Sequence, residues 1–228
     1  MHLLAHRGLH VEQPENTMQA FLAAQAAGFE GIETDVRLSA DHQLILCHDR
    51  IAPNGVPVSA LTRTELEVLL EHDVPVLEDV LEQFPDLFWN IEIKVIAALP
   101  QSLKVLAHFQ QQRRLLLTSF RHDIAMECAR HLDADCGLLV ASRPLALSHL
   151  VNPAQVEQRM RTIVWDYEII DPSQLQMANS IGFRNFVYGM HTQFEHDACF
   201  DFGVHGMITD HPDMVGLDMD RLAGMTRH

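Results

Sequence analysis

Short apolar runs alternate with longer amphipathic segments along most of this 228-residue chain. The short runs predict strands, and the longer segments, which carry good helix formers, predict helices. The predicted strands cover residues 1–5, 31–37, 43–47, 87–93, 115–118, 137–140, 162–165, 185–188 and 206–208. The predicted helices cover residues 17–27, with Asn16 as the expected cap, and residues 61–71, 78–84, 101–111, 122–131, 144–158, 172–181, 194–202 and 212–217.

Strands that alternate with helices predict a parallel sheet with the helices packed outside it. About eight such units fit into the chain, which favours an α/β fold of the TIM (β/α)8 barrel type. We expect one domain over residues 1–228, with a less regular stretch at residues 49–75. The alternative is an open doubly wound sheet, but no glycine-rich nucleotide-binding motif follows any predicted strand.

Composition and charge narrow the class of protein. Hydrophobic residues make up 47% and charged residues 21%, which excludes a disordered or fibrous chain. The 16 Lys and Arg against 31 Asp and Glu give a net charge of −15, so we expect no nucleic-acid partner and no stable membrane association. No apolar run approaches a membrane span, and residues 1–8 lack the pattern of a signal peptide. The scattered cysteines are typical of a reduced, cytoplasmic protein.

Ionisable residues stand at the ends of four predicted strands, where a buried strand would be apolar. They are His6 and Arg7 on the first, Glu33 and Asp35 on the second, His48 on the third, and Glu92 and Lys94 on the fourth. The spacing of two residues puts both members of the second and fourth pairs on one face of their strand. Because the carboxyl ends of barrel strands form the catalytic face, we expect these side chains to meet there.

The residue types suit one another chemically. Glu33, Asp35 and Glu92 form an oxygen-rich set of the kind that holds Mg²⁺ or Ca²⁺. Without a cation, three converging carboxylates would repel one another and their pKa values would rise. Two histidines can serve as general acid and general base near neutral pH. Arg7 and Lys94 supply positive charge for an anion such as phosphate, and the whole set therefore indicates phosphoryl chemistry.

Each feature also has a structural explanation, which the pattern leaves open. Glu33 and Asp35 can form a solvated strand face, and Glu92 with Lys94 can form a structural ion pair. A lone histidine is more often a hydrogen-bonded structural residue than a catalyst. The joint placement of these residues favours the catalytic interpretation. Cys47 lies on the opposite strand face from the histidine that follows it, which predicts a packing role and not a nucleophile.

Several motifs carry a family resemblance. In chain order they are Ala5-His6-Arg7-Gly8, Pro14-Glu15-Asn16-Thr17, Ala20-Phe21, Gly28, Gly31-Ile32-Glu33-Thr34-Asp35-Val36, residues 44–49, Val74-Pro75-Val76-Leu77-Glu78-Asp79, Ile91-Glu92-Ile93-Lys94, Ser119-Phe120 and residues 203–212. Their order resembles the glycerophosphodiester phosphodiesterase family over nearly the whole chain, most densely over residues 5–49.

The resemblance implies a TIM barrel that hydrolyses glycerophosphodiesters to glycerol 3-phosphate and an alcohol, with one divalent cation, Mg²⁺ or Ca²⁺. It implies that the glycerol 2-hydroxyl is the nucleophile and that water then opens a cyclic phosphate. It also implies a short insertion after the second β/α unit, at residues 49–75. The implied roles are acid–base catalysis for His6 and His48, metal binding for Glu33, Asp35 and Glu92, and phosphate binding for Arg7 and Lys94.

The chain departs from the family pattern at the seventh strand of the barrel. Tyr188 and Gly189 stand where Trp-Thr is usual, so we expect Tyr188 to be the aromatic residue at the substrate. Two other functions stay open: a related phosphodiesterase for lysophospholipids or other larger diesters, and an inactive barrel used as a binding or scaffold protein. The insertion offers Ile51, Val56 and Val58 but no aromatic cluster, which favours small diesters. The complete charged set argues against a scaffold.

Overall fold

Nine strands and eight helices make up the described part of the chain, residues 1–217 of a computed structural model. The strands are β1 (His2–His6), β2 (Gly31–Leu38), β3 (Leu44–Leu46), β4 (Phe88–Ile93), β5 (Arg114–Ser119), β6 (Asp135–Val140), β7 (Met160–Asp166), β8 (Arg184–Tyr188) and β9 (Gly206–Thr209). The last eleven residues of the domain expected over residues 1–228 lie outside the described part of the chain.

The helices alternate with the strands along the chain. They are α1 (Met18–Ala27), α2 (Arg63–Leu70), α3 (Leu77–Gln83), α4 (Leu99–Phe109), α5 (His122–His131), α6 (Leu147–Ala154), α7 (Pro172–Ser180) and α8 (Gln193–Asp201). Short 3-10 helices cover Val58–Ala60, Ile96–Ala98, Tyr167–Ile169 and Pro212–Val215. Within residues 1–217, no helix is both long enough and apolar enough to cross a membrane.

Eight of the strands close into a ring. The order is β1-β9-β8-β7-β6-β5-β4-β2, and β1 also pairs with β2, so the sheet has no open edge between them. All pairs in the ring are parallel, whereas β3 pairs antiparallel to β2 and stays outside the ring. The predicted TIM barrel is confirmed, and the open doubly wound sheet is wrong.

The interior of the barrel changes from apolar at its amino end to ionisable at its carboxyl end. Along β4, the inward positions are successively Phe88, Asn90 and Glu92. A Cβ on Gly206 would lie 2.3 Å from the Phe186 ring, so glycine at this position leaves that ring room to fill the interior. The apolar layer consists of Leu4, Phe88, Leu116, Leu139, Val164, Phe186 and Ile208.

A second apolar layer lies between the ring and the surrounding helices. Phe21 of α1 and Phe84 after α3 pack edge to face on Trp89 of β4, with ring centroids 5.4 and 6.2 Å from the indole. All three side chains are almost fully buried. Burial of an aromatic side chain of this kind contributes about 1.5–3 kcal/mol, which fixes helices α1 and α3 against the strands that carry the ionisable residues.

The expected insertion has its own small core of Ile45, Ala52, Val58, Leu61, Leu66 and Val74. It lies between β2 and α3, inside the second β/α unit and not after it. The reason is that Leu77 and Val80 of α3 join the layer around the barrel, whereas Leu66 of α2 packs only within the insertion. Strand β3 and helix α2 belong to this segment, which therefore begins before residue 49.

Three differences from the predicted elements concern the cap of one helix, the length of another and the type of a third. The cap of α1 is Thr17, whose hydroxyl accepts from the Ala20 N–H, and Asn16 has a different role described below. The predicted helix at 144–158 is limited to Leu147–Ala154. The predicted helix at 212–217 is a 3-10 turn that ends at a left-handed glycine, Gly216. Asparagine and threonine are both good N-cap residues, so residue type alone could not decide whether Asn16 or Thr17 caps α1.

Candidate active site

A cavity of about 170 Å³ opens at the carboxyl end of the barrel strands. It contains every residue that the sequence proposed for the site, although these residues lie up to 182 positions apart. Three apolar or aromatic side chains, Phe120, Leu139 and Ile208, complete its wall. The eight proposed residues in the wall are His6, Arg7, Glu33, Asp35, His48, Glu92, Lys94 and Tyr188.

Three buried carboxylates form the floor of the cavity. Glu33 and Asp35 point inward from β2, and Glu92 points inward from β4. Asp35 pairs with Glu92 in the parallel register of β2 and β4, which brings the two side chains together. Each of the three offers an oxygen within 4.8 Å of the others. A solvated strand face is therefore excluded for Glu33 and Asp35, which are 6% and 1% exposed.

The carboxylates carry more negative charge than their neighbours balance. Burial raises the pKa of Glu33 well above its ordinary value, and the charges of Asp35 and Glu92 add to the rise. Burial also raises the pKa of Glu92, to about 7. Burial acts in the same direction on Asp35, but Lys94 and Arg7 outweigh it and lower its pKa. A compact set of oxygen donors with excess negative charge fits a hard divalent cation.

A sharp turn after β1 brings Arg7 over the carboxylates. The backbone is left-handed at Arg7 (φ 55°) and at Gly8 (φ 79°), where a Cβ would come within 2.9 Å of the α1 backbone. The Arg7 N–H donates to Glu33 Oε2 (3.3 Å), and its guanidinium donates to Glu15 Oε2 (2.8 Å) and lies 3.4 Å from Asp35 Oδ2. The guanidinium atom nearest to Asp35 is Nε, which is buried and makes no hydrogen bond among the described residues.

Lys94 links two of the carboxylates across neighbouring strands. Its Nζ donates to Glu92 Oε2 at 2.8 Å and lies 2.9 Å from Asp35 Oδ1. The side chain is only 10% exposed, and its pKa is raised because these two carboxylates outweigh the effect of burial. The ion pair of Glu92 and Lys94 is thus present. It lies inside the cavity, and Lys94 also pairs with Asp35. The ammonium group also lies 6.0 Å from the ring centroid of Phe120.

His6 is held between a carboxylate outside the cavity and one inside it. Ala5 of β1 pairs with Thr209 of β9, so the next residues, His6 and Asp210, lie side by side. His6 Nδ1 is 3.0 Å from Asp210 Oδ1, and His6 Nε2 is 3.9 Å from Glu33 Oε2. A neutral imidazole that donates through Nδ1 presents the lone pair of Nε2 toward the carboxylate floor.

His48 reaches the cavity by another route than the sequence predicted. It was expected at the carboxyl end of a barrel strand, but β3 is an antiparallel strand outside the ring, and the chain returns through it to the mouth of the barrel. Arg37 holds this return by donating from Nε and Nη2 to the His48 carbonyl, at 2.9 and 2.7 Å. His48 Nδ1 lies 3.0 Å from Asp49 Oδ1. Burial and the charge of Lys94 lower the pKa of His48.

Two aromatic rings line the cavity beside the ionisable residues. Tyr188, at the end of β8, and Phe120, after β5, pack edge to face with centroids 6.2 Å apart. Burial raises the pKa of the Tyr188 phenol, and the nearby Asp166 raises it further. The Tyr188 hydroxyl is therefore a neutral hydrogen-bond donor at any pH near neutrality.

The sequence analysis missed several residues that support the site. Asn16 donates from Nδ2 to Asp35 Oδ2 (3.0 Å) and accepts from the Thr34 hydroxyl (2.6 Å), with a left-handed backbone at φ 57°. The motif Pro14-Glu15-Asn16-Thr17 thereby supplies a partner for Arg7, a partner for Asp35 and a helix cap, whereas the sequence alone predicted only a cap, at Asn16, beyond the resemblance. The other missed supports are Arg37, Asp49 and Asp210.

Cys47 agrees with its predicted packing role. It is half-buried, its Sγ lies 3.6 Å from the Asp49 carbonyl, and burial raises the pKa of the thiol to about 11. A thiol with so high a pKa is almost entirely protonated near neutral pH and is a poor nucleophile.

The model of one protein family matches residues 6–214 of the chain, and its description is "Glycerophosphoryl diester phosphodiesterase family". The match includes every residue that lines the cavity. The chain belongs to this family. The glycerophosphodiester phosphodiesterase of Caldanaerobacter subterraneus is 29% identical to it over 93% of this chain and 95% of the relative. The mouse lysophospholipase D GDPD1 is 22% identical over 92% of this chain and 83% of the relative.

Solved structures of family members share the fold. The glycerophosphodiester phosphodiesterase of Thermotoga maritima superimposes with a TM-score of 0.81 at 25% identity, over 93% of this chain and 96% of the other. An Oleispira antarctica phosphodiesterase, solved in complex with the product sn-glycerol-3-phosphate, has a TM-score of 0.79 at 19% identity, over 99% and 97%. With the family established, the chain is an enzyme, a phosphodiesterase that hydrolyses glycerophosphodiesters.

Proposed function

We propose that this phosphodiesterase depends on one divalent cation and uses His6 and His48 as a general acid–base pair. The reaction releases glycerol 3-phosphate and an alcohol from a glycerophosphodiester. The observation that carries the proposal is the position of the two imidazoles. Both line the cavity beside three buried carboxylates, and each has its Nδ1 within 3.0 Å of another carboxylate oxygen, that of Asp210 for His6 and that of Asp49 for His48.

Glu33, Asp35 and Glu92 would hold the cation. Their oxygens converge, and two of the three have raised pKa values that a bound cation would lower. A divalent cation such as Mg²⁺ or Ca²⁺ neutralises charge on a phosphoryl oxygen and orients hydroxyl groups. Asn16 keeps Asp35 in place through its amide, so that this oxygen is fixed before any ligand binds.

Arg7 and Lys94 bind the phosphate and stabilise the charge that develops on it. Arg7 brings a positively charged guanidinium to the wall of the cavity, and Lys94 places a second positive charge within the carboxylate cluster. Such preorganised donors act most strongly in a cavity with little water. Tyr188 adds a neutral hydroxyl and an aromatic surface at the rim, where the Trp of other family members would stand.

The two histidines transfer protons on either side of the phosphate. One takes the proton of the glycerol 2-hydroxyl, which attacks phosphorus, while the other protonates the alcohol as its bond to phosphorus breaks. The roles reverse when water opens the resulting cyclic phosphate. Asp210 supports this chemistry by accepting from His6 Nδ1, which leaves Nε2 to exchange the proton. Asp49 does the same for His48.

The small volume of the cavity, about 170 Å³, favours diesters with a small head group. A second cavity of about 290 Å³ adjoins His48 within the insertion, and its walls include Ile51, Val58, Leu66 and Leu70. An acyl chain could occupy this apolar space. That observation, and the lysophospholipase D among the relatives, support lysophospholipids as the second candidate substrate class.

The decisive experiment measures glycerol 3-phosphate released from glycerophosphocholine, and lysophosphatidic acid released from lysophosphatidylcholine. Each reaction is run with EDTA, Mg²⁺ or Ca²⁺. We expect turnover of the soluble diester that EDTA abolishes and that His48→Ala lowers at least about a hundredfold. The matched control is His131→Ala, an exposed histidine at the end of α5, which should leave turnover unchanged.

Three outcomes would contradict the proposal in different ways. Near-normal turnover of His48→Ala would refute its acid–base role. Turnover that persists in EDTA would refute the dependence on a cation. A folded protein with neither turnover nor cation binding would support the scaffold. In addition, Glu33→Gln should weaken cation binding in a calorimetric titration, and an unchanged titration would count against Glu33 as a ligand.

A further inference from the structure

A second group of potential metal ligands lies beside the carboxylate floor. Asp210 Oδ1 is 3.0 Å from His6 Nδ1 and 2.9 Å from His10 Nε2. Each of the three residues offers a ligand atom that lies within 4.8 Å of those of the other two. The sequence analysis gave a role to His6 alone, and nothing in the proposed reaction uses His10.

The fold itself brings these three side chains together. His6 ends β1, Asp210 follows β9, and the pairing of Ala5 with Thr209 sets the first two side by side. The turn after β1 returns the chain so that the ring of His10 comes within 6.4 Å of the ring of His6, centroid to centroid. The three side chains are 26–34% exposed, so solvent reaches the group and can supply further ligands.

The donor set differs in kind from the carboxylate floor. Two imidazole nitrogens and one carboxylate oxygen suit Zn²⁺ and similar transition metals, whereas an all-oxygen set suits Mg²⁺ or Ca²⁺. Ligand atoms about 2.0–2.1 Å from a tetrahedral zinc stand roughly 3.3 Å apart, and both distances to Asp210 are close to this value. Three protein ligands with an open fourth position are a common zinc arrangement.

We propose that His6, His10 and Asp210 form a transition-metal site, typified by Zn²⁺, whose occupation inhibits the enzyme. In the metal-free protein, Asp210 instead accepts hydrogen bonds from both rings, and these bonds lower its pKa against the effect of burial. A bound metal takes the place of the protons in the hydrogen bonds from His6 Nδ1 and His10 Nε2 to Asp210.

Inhibition follows from the chemistry of imidazole and rests on the proposed acid–base role of His6. A neutral imidazole bound to metal through Nδ1 carries its one proton on Nε2. Nε2 is the atom that faces the carboxylate floor. Zinc at Nδ1 therefore leaves no lone pair on Nε2 to accept a proton, and it also prevents the doubly protonated ring that would act as an acid.

The first test measures binding without turnover. Metal-free wild type, His10→Gln and Glu33→Gln are titrated with Zn²⁺ by calorimetry, and with Co²⁺ by the visible absorption of tetrahedral cobalt. Losing an outer-shell partner already costs about 10–100-fold in metal affinity, so His10→Gln should weaken one Zn²⁺ equivalent at least about tenfold. Glu33→Gln should still bind that Zn²⁺ equivalent with the affinity of the wild type. His131→Gln is the matched control because this histidine lies on the outer face of α5.

The second test measures turnover of glycerophosphocholine at saturating Mg²⁺ with increasing Zn²⁺, relative to the zinc-free rate of each variant. The Zn²⁺ concentration for half inhibition should rise at least about tenfold in His10→Gln and stay constant in His131→Gln. Equal inhibition of wild type and His10→Gln would place zinc at the carboxylates and overturn the proposal. Equal Zn²⁺ affinity of wild type and His10→Gln in the binding test would overturn it as well. Because that test needs no turnover, failure of the zinc site can be distinguished from failure of the proposed function.

Discussion

Asp210 offers the sharpest test of how the barrel prepares His6 for catalysis. Its Oδ1 accepts from His6 Nδ1 at 3.0 Å, and Asp210→Ala removes that acceptor without altering the carboxylate floor or the phosphate-binding residues. A hydrogen bond to a charged group contributes about 1.5–3 kcal/mol. If His6 needs this orientation as its proton moves, that free energy is lost from the transition state. At about 1.4 kcal/mol for each factor of ten, kcat should fall roughly 10- to 150-fold.

The assay is steady-state release of glycerol 3-phosphate, with kcat and KM measured separately. KM should change less than threefold, because His6 acts on the proton and does not hold the phosphate. The ¹⁵N shifts of the His6 ring report which nitrogen carries the proton, and this distribution should change in Asp210→Ala. Asp210→Asn keeps an acceptor oxygen without the charge and should lie between alanine and wild type. Asp197→Ala, an exposed carboxylate on α8, is the matched control.

The reasoning would be refuted by a kcat within threefold of wild type, or by an unchanged proton position on His6. If Asp210 had only a structural role, Asp210→Ala would give a different set of results. It would lower the thermal midpoint and the folded fraction together with kcat, and the per-molecule rate of the folded enzyme would stay the same.

Three further predictions concern other parts of the fold. Asn16→Ala should weaken binding of the divalent cation about 10- to 100-fold in calorimetry, because Asp35 loses its buried amide partner; equal affinity would refute that support. Gly206→Ala should lower the free energy of unfolding by about 1–3 kcal/mol in urea, since its Cβ would meet the Phe186 ring at 2.3 Å, and an unchanged midpoint would contradict the packing. Burial raises the pKa of Glu30, but bonds from a histidine and an arginine lower it overall, so its stabilisation is present above the unfolded pKa and is lost as the pH falls through the folded one. Because Glu30 is more than a third exposed, solvent screens these pairs, and Glu30→Gln should lower stability by at most about 1 kcal/mol at pH 7. A difference that did not shrink as the pH falls below the ordinary pKa of a glutamate would refute the ion pairs.

The barrel and the inward-facing residues on two of its strands could be predicted from local patterns. Alternating apolar and amphipathic segments determine the order of strands and helices, and parallel strands place their carboxyl ends on one face. The spacing of two residues puts Glu33 with Asp35, and Glu92 with Lys94, on the inward side of β2 and β4. Both steps depend only on the geometry of a single strand, so sequence alone suffices for them.

His48 shows where such reasoning fails. An apolar run followed by a histidine has the same pattern whether the strand is parallel or antiparallel, because side chains alternate in both. Only the pairing of β3 with β2 reveals that the chain doubles back, and only then does Arg37 become the residue that holds the return.

The sequence by itself determined the fold class, the family and the set of ionisable residues that meet in the cavity. Only the tertiary structure decided which neighbouring groups orient these residues and shift their pKa values. Asp210 reaches His6 from 204 residues away, and His10 joins the same oxygen through a turn with left-handed backbone. No periodicity encodes such contacts, since they arise when the last strand closes the ring on the first. The pKa values of the buried carboxylates likewise depend on distances and burial that exist only in the folded barrel.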